Sequence, residues 1–327
     1  MKRTVFLVTF LSTLLPLVAQ TLMPSGPVAG FVFDAEQRAI RPVLGVAGSA
    51  YAGGALVGEV EQAAVSPSGK MALVVREGGL YLIRNLAQET PESELLAENA
   101  GTIDEIVWNA DSTAAVLYSS AARTLRLAGG LDGTPNVDEA IDATPLGARL
   151  SALSLAGTTI LAGFDDTEGS ALYLVPDTGE SPRLLVRLAM ARALALAGNG
   201  RDAFVADGTS GEILEIRNFA GEFEVLSFAG AGSVESPVGL AISRDGNTLY
   251  AASATTREVL AFSLTSREAT GRMPLDFEPS FLKPLAGGSL FVMNNAARGS
   301  RPLLVLDAGH SPGVYFVPVS DNPGGEQ

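Results

Sequence analysis

Residues 236–264, SPVGLAISRDGNTLYAASATTREVLAFSL, spell out a complete hairpin unit. A short apolar run (Leu240, Ala241, Ile242) meets the turn Ser243-Arg244-Asp245-Gly246. A second run (Leu249 to Ala252) leaves it, and a third (Val259 to Leu264) follows a polar loop. Asp-Gly between apolar runs predicts a hairpin, because glycine takes the positive φ that such turns need. The unit recurs along the chain. Ala63–Val65 precedes SPSG, Ile106–Trp108 precedes NADS, Leu153–Leu155 precedes AG, Leu194–Leu196 precedes AGNG, and Phe281–Leu285 precedes AGG. Aligning Val65, Trp108, Leu155, Leu196, Ile242 and Leu285 gives steps of 43, 47, 41, 46 and 43 residues. A period near 45, with a turn-linked strand pair in each unit, predicts an all-β chain built as a β-propeller of four-stranded blades.

Each pair is followed by a third strand: Leu80–Ile83, Thr124–Leu127, Ala171–Val175, Ile213–Ile216, Val259–Leu264 and Leu303–Leu306. A weaker fourth follows, clearest at Arg183–Leu188, Glu224–Phe228 and Val314–Val319. The stretch Val28–Leu44 supplies only one hairpin, which reads as a third and fourth strand around Asp34-Ala35-Glu36-Gln37. The chain therefore reads as seven blade positions with a rudimentary N-terminal blade, the alternative being six blades with an added hairpin. Leu184–Leu196 is rich in the helix formers Leu and Ala. Its halves nevertheless fall in the frame of a fourth and then a first strand, so strand, loop, strand is expected. Residues 46–60 and 129–149 read as Gly-rich or acidic connectors. The propeller is expected over residues 26–319, with a mobile tail at 320–327.

The chain opens Met1-Lys2-Arg3, continues with an apolar run from Val5 to Val18, and reaches small Ala19 before Gln20-Thr21. That pattern predicts a secretory leader over residues 1–20, too short and wrongly flanked for a spanning helix, and hence a periplasmic or secreted protein. Cysteine is absent, which excludes disulfides, thiolate metal sites and lipid attachment through a Cys. The chain carries 22 basic and 36 acidic residues; without Lys2 and Arg3 the balance is 20 against 36, a net charge of −16. No basic footprint exists for nucleic acid or an anionic membrane. No later run is long enough for a membrane span once the leader is removed.

The unit at 236–264 resembles the repeats of the YVTN and NHL class of β-propellers. It is also similar to lactonase-like, quinoprotein-like and WD-repeat-like propellers. The resemblance is clear at 236–264, fainter at 192–216 and 63–86, and weak elsewhere. It implies that the innermost strand of each blade lines a channel. It also implies that ligands meet the face carrying the loops into that strand and the loops between second and third strands. Four residues before each aligned position stand Glu61, Asp104, Ser151, Arg192, Val238 and Phe281. The polar four form a candidate ligand-binding mouth. Glu61 and Asp104 are weak candidates for a divalent cation, and Arg192 suits an anion or an acidic neighbour. Solvated loop ends are the competing reading. A second column, Arg76, Ser119, Phe164, Asp207, Ser253 and Asn294, closes the second strand. Asp207 and Asn294 there either contact ligand or cap the following turn.

Other chemical signals are thin. His310 is the single histidine, in a turn that the propeller frame puts on the opposite rim, so a general-base role is disfavoured. Asp165-Asp166-Thr167-Glu168-Gly169 lacks the spacing of the helix–loop–helix calcium motif. No GxSxG, HExxH, P-loop or dinucleotide fingerprint occurs. Trp108 is expected to pack between blades. The leading functional reading is an exported non-catalytic scaffold for a protein or carbohydrate partner. The alternatives are a metal-assisted lactonase-like hydrolase and a docking module of an envelope complex.

Overall fold

The computed structural model describes residues 27–318 apart from 47, 89, 178, 287–288, 295–301 and 310–311. The expected leader, His310 and the tail lie outside the described residues. Seven antiparallel sheets follow one another in chain order around a ring. Blade 1 holds β1 (Val28–Asp34), β2 (Ala39–Leu44) and β3 (Tyr51–Ala52). Blade 2 holds β4 (Gln62–Val65), β5 (Met71–Arg76), β6 (Gly79–Arg84) and β7 (Glu92–Ala97). In blade 3, β8 (Glu105–Trp108), β9 (Ala115–Ser119) and β10 (Thr124–Gly129) are followed by two short strands, β11 (Asn136–Val137) and β12 (Ile141–Asp142), both paired with β10. Blade 4 is β13 (Arg149–Ala156), β14 (Thr159–Asp166), β15 (Gly169–Val175) and β16 (Arg183–Leu188). Blade 5 is β17 (Ala191–Leu196), β18 (Ala203–Asp207), β19 (Ile213–Arg217) and β20 (Glu224–Ala229). Blade 6 is β21 (Pro237–Ile242), β22 (Thr248–Ser253), β23 (Glu258–Ser263) and β24 (Ala269–Pro274). Blade 7 is β25 (Lys283–Ala286), β26 (Leu290–Val292), β27 (Leu303–Asp307) and β28 (Gly313–Val317). One 3-10 turn, Thr144–Leu146, is the helical exception among the described residues. The Leu- and Ala-rich stretch is strand, loop, strand, because each half has a pairing partner that a helix would forfeit.

Alternation along the strands makes the core. Successive side chains point to opposite faces of a sheet, and in a ring both faces meet a neighbouring blade. Leu240 therefore packs toward blade 5 and Ala241 toward blade 7. Among the described residues seven apolar clusters form, one for each seam. Edge-on aromatic contacts thread the seam between blades 5 and 6, with Phe228 centred 5.1 Å from Phe204 and 6.1 Å from Phe262. Arginines staple other seams. Arg183 of β16 donates to the Phe219 and Gly221 carbonyls of blade 5, and Arg84 of β6 donates to Leu131 O at 2.6 Å beside blade 3. Trp108 packs in the seam between blades 2 and 3, where its indole N–H donates to Ala64 O at 3.0 Å.

Blade 1 differs from the sequence expectation. Its hairpin lies inside the ring, with β1 packed beside both β25 and β4, the innermost strands of its neighbours. The added-hairpin arrangement is thereby excluded. Its strands are equivalent to a second and third strand, not a third and fourth. Val60 N donates to Arg38 O just before β2, as Ala100 N does to Gly78 O before β6 and Leu275 N does to Arg257 O before β23. The remaining strand is broken within residues 51–57: Tyr51 and Ala52 pair with Leu44 and Val43, and Val57 bridges Ile40. Residues 51–57 are thus an interrupted outer strand within the expected connector, and β11 and β12 edge blade 3 within the other. Across the interruption, Arg41 supplies the missing donors. Its Nε bonds Gly53 O at 2.6 Å, one amino group bonds Ala52 O at 3.3 Å, and the other meets Asp34 Oδ2 at 3.0 Å. Asp34 Oδ1 in turn accepts the Glu36 and Gln37 amides, and both charged side chains are at most 2% exposed.

The Asp-Gly turn of blade 6 forms as its sequence requires. Gly246 sits at φ 71°, its amide donates to Ser243 O at 2.9 Å, and a side chain there would meet nothing within 4 Å. The cost of substitution is therefore conformational alone. Gly246→Val is expected to destabilise by about 1–2 kcal/mol, because a branched side chain resists the left-handed region. A urea midpoint equal to wild type would contradict this turn.

Candidate functional site

The innermost strands β4, β8, β13, β17, β21 and β25 begin on one face, here the upper face, and the polar column stands at their starts. Ser151, Arg192 and Val238 are each the extra residue of a β-bulge in β13, β17 and β21. Glu61 and Gln62 both oppose Val75, and Asp104 and Glu105 both oppose Tyr118. The column is thus a ring of bulged strand starts. A bulge twists the strand and re-aims a side chain away from the alternating pattern.

Within that ring the polar residues fall into separate groups. Glu61 and Asp104 line one open depression of about 550 Å³ between blades 2 and 3, with Gln62, Thr102 and the Gly78 and Gly101 backbone. Gln62 Nε2 ties its rim by donating to Asp104 O at 2.6 Å. One Asp104 carboxylate oxygen accepts the Ser120 amide at 2.6 Å. Among the described residues the Glu61 carboxylate has no hydrogen-bond or ionic partner. A smaller cleft of about 160 Å³ adjoins through Gly101, Thr102 and Ile103, and it is walled by Tyr118, Ala121 and Ala122.

Ser151 and Arg192 stand in blades 4 and 5, one and two blades beyond Asp104. The Ser151 hydroxyl is buried and finds no partner among the described residues. Arg192 lies beside the Met190 sulfur at 2.9 Å, and its charge acts on Asp165. Asp207 and Asn294 hold backbone. Asp207 accepts the Thr209 amide at 2.8 Å and the Ala189 amide at 3.0 Å, and Asn294 accepts the Leu304 amide at 2.8 Å.

Two residues missed by the sequence reading cross the channel. Lys283, at the start of β25, meets Glu105, at the start of β8, with Nζ 2.6 Å from Oε1. Blades 1 and 2 separate these strands on one side and blades 4 to 6 on the other, so the ion pair spans the interior. Lys283 Nζ also sits 5.5 Å from the Phe281 ring centre. The signal in the sequence was a charged residue opening an otherwise apolar innermost strand, two positions from the chosen column in blade 7 and one in blade 3.

The acidic loop is paired with two arginines from neighbouring strands. Arg149 reaches Asp165 at 2.6 Å, Arg187 reaches Asp166 at 2.9 Å, and Ser170 donates to the other Asp165 oxygen at 2.6 Å. Burial alone would raise the Asp165 carboxyl. The Ser170 and Arg149 hydrogen bonds, with the charges of Arg149 and Arg192, outweigh it and hold the group below the usual carboxylate range. A depressed folded value means that this contribution is complete above the ordinary carboxylate pKa and is lost as pH falls through the folded one. Asp165→Asn is expected to flatten the acid limb of the stability-versus-pH curve while leaving its alkaline side unchanged. An identical acid limb would contradict it.

Among the described residues no three His, Cys, Asp or Glu side chains converge as metal ligands. Glu61 and Asp104 therefore offer two carboxylates without a third donor of those types. No helix among the described residues is long and apolar enough to cross a membrane.

No family model matches the chain, and no curated protein matches it by sequence. Solved structures match its fold. A functionally unknown protein from Desulfotomaculum acetoxidans superposes with a TM-score of 0.61 at 14% identity, covering 89% of this chain and 100% of that one. A protein from Lactobacillus plantarum gives 0.61 at 14% identity, with 89% and 96% covered. The β-propeller domain of Cps50 (Swd1) from Myceliophteria thermophila gives 0.53 at 13% identity, with 79% and 86% covered. These likenesses establish a seven-bladed β-propeller, a fold that hosts many unrelated functions.

Proposed function

We propose that this chain is an exported, non-catalytic propeller of the YVTN/NHL-like type whose upper face binds a protein or carbohydrate partner. One observation carries the binding reading: the depression between blades 2 and 3 sets the Glu61 carboxylate, which has no partner among the described residues, beside Asp104, Gln62 and Thr102. That set is rich in acceptors and open to solvent. It suits the hydroxyls of a sugar or the Lys and Arg side chains of a protein partner.

The same two carboxylates are what favours the hydrolase reading, with a divalent cation between them. Thermal shift separates the two. Wild-type protein is expected to gain stability with sugars, and Glu61→Gln/Asp104→Asn to lose that gain. A shift with calcium or magnesium, accompanied by lactone turnover, would support the hydrolase instead. An equal response of both proteins to every ligand would place binding elsewhere. Export is tested by fractionating cells that express the full chain. The expected result is a periplasmic or secreted protein shortened to a start near Gln20.

A further inference from the structure

Six innermost strands run downward from the upper face, and the seventh place at the channel is held by β1. That strand runs the opposite way. It ends at the Asp34–Arg38 turn, and Arg38 accepts the amide of Val60, the residue next to Glu61 at the upper start of β4. It pairs with β2 alone, so its channel-side edge has no strand partner among the described residues. In each of the other six blades that edge of the second strand is covered by a first strand. An open edge of this kind, flanked by β25 and β4, is a template for one more strand.

The sequence ahead of β1 repeats the sequence ahead of β5. Pro67-Ser68-Gly69 turns β4 into β5, with Gly69 at φ 68° and its amide on Ser66 O at 2.8 Å. Pro24-Ser25-Gly26 stands 43 residues earlier, and each glycine lies two residues before its strand, Met71 or Val28. The β4–β5 register pairs Val65 with Ala72 and Ala64 with Leu73. Moved by the same 43 residues, it pairs Leu22 with Ala29 and Thr21 with Gly30.

We propose that residues Gln20–Leu22, which lie outside the described residues, complete blade 1 by pairing with the channel-side edge of β1 in that register. The occupant is this chain's own segment, because the sequence between it and β1 carries the same three residues, Pro-Ser-Gly, that turn β4 into β5. Thr21 and Leu22, the two residues paired in that register, lie beyond the expected leader of residues 1–20, so they are present in either processing state.

The absence of native cysteine allows a clean test in the full chain. Leu22→Cys with Ala29→Cys is expected to form an intrachain disulfide under mild oxidation of the folded protein, seen as loss of both free thiols in a monomer. The off-register pair Leu22→Cys with Phe33→Cys is expected to stay reduced. Thr21→Pro removes one backbone donor, and amide exchange across Val28–Asp34 is expected to speed about tenfold while Met71–Arg76 is unchanged. Equal oxidation of the two cysteine pairs, a crosslink between two chains, or unchanged exchange in β1 would each overturn the proposal.

Discussion

Asp34→Ala is expected to cost the fold about 3–5 kcal/mol, because it removes the carboxylate that meets a charged, buried guanidinium at 3.0 Å. The pair is 2% and 1% exposed, so water cannot take over the lost interaction. Two backbone amides, of Glu36 and Gln37, also lose their acceptor at the turn. Arg41→Met takes the guanidinium from the buried Asp34 carboxylate and strands the Gly53 and Ala52 carbonyls. The double variant Asp34→Ala/Arg41→Met is therefore expected to be less damaged than the sum of the single variants. Urea denaturation of all four proteins closes the cycle. A loss under 1 kcal/mol for Asp34→Ala would mean that the blade relaxes around the charge.

Gly239→Ala is the second large effect, and its origin is steric. A methyl group at Gly239 in β21 would fall 2.4 Å from the Leu282 amide nitrogen, 2.5 Å from Leu282 Cβ and 2.9 Å from the Phe281 carbonyl carbon. Two of those atoms are backbone, so no side-chain rotation relieves the contact and the segment leading into β25 must move. Overpacking of a dense seam costs about 3 kcal/mol at its upper range, and Gly239→Ala is expected to reach it. Gly271→Ala in β24 is the control. Its added carbon would meet only the Ala261 methyl at 3.8 Å, and its melting temperature is expected to stay near wild type. Equal behaviour of the two variants would contradict the close approach of blades 6 and 7.

What was legible in the sequence was local. The turn at Ser243–Gly246, the strand spacing and the column of Glu61, Asp104, Ser151 and Arg192 depend on residues a few positions apart, and periodicity exposes them. The bulges behind that column are invisible as backbone, yet they recur in frame, so the column still marked them. Blade 1 was misassigned by one strand because its outer strand is interrupted at Gly53-Gly54. The atoms that bridge the interruption belong to Arg41, a residue that reads in sequence as an exposed charge. The Lys283–Glu105 pair joins residues 178 positions apart, and no local pattern carries such a partnership. Asp207 and Asn294 carry the same residue types whether they cap a turn or hold a ligand. Only the positions of the neighbouring amides show the first use.

Among the described residues every strand pairing stays within one blade and, apart from β10 with β12, joins consecutive strands, and this has a consequence for timing. Low sequence separation of contacts favours rapid, blade-by-blade assembly. One seam escapes the rule. Between blades 7 and 1, Val43 and Ala50 must meet Leu303 and Val317, and Ala52 N must find Pro318 O at 2.9 Å, across almost the whole length of the chain. Closing so long a loop comes last in a chain of this size. The single tryptophan reports the opposite regime, because Trp108 and Ala64 belong to adjoining blades. In refolding experiments, native Trp108 fluorescence is expected to appear in an early phase, and amide protection at Ala52 in a later one. A chain halted between those phases would be an open spiral of formed blades, exposing the apolar faces of its first and last blades to any other chain in the same state.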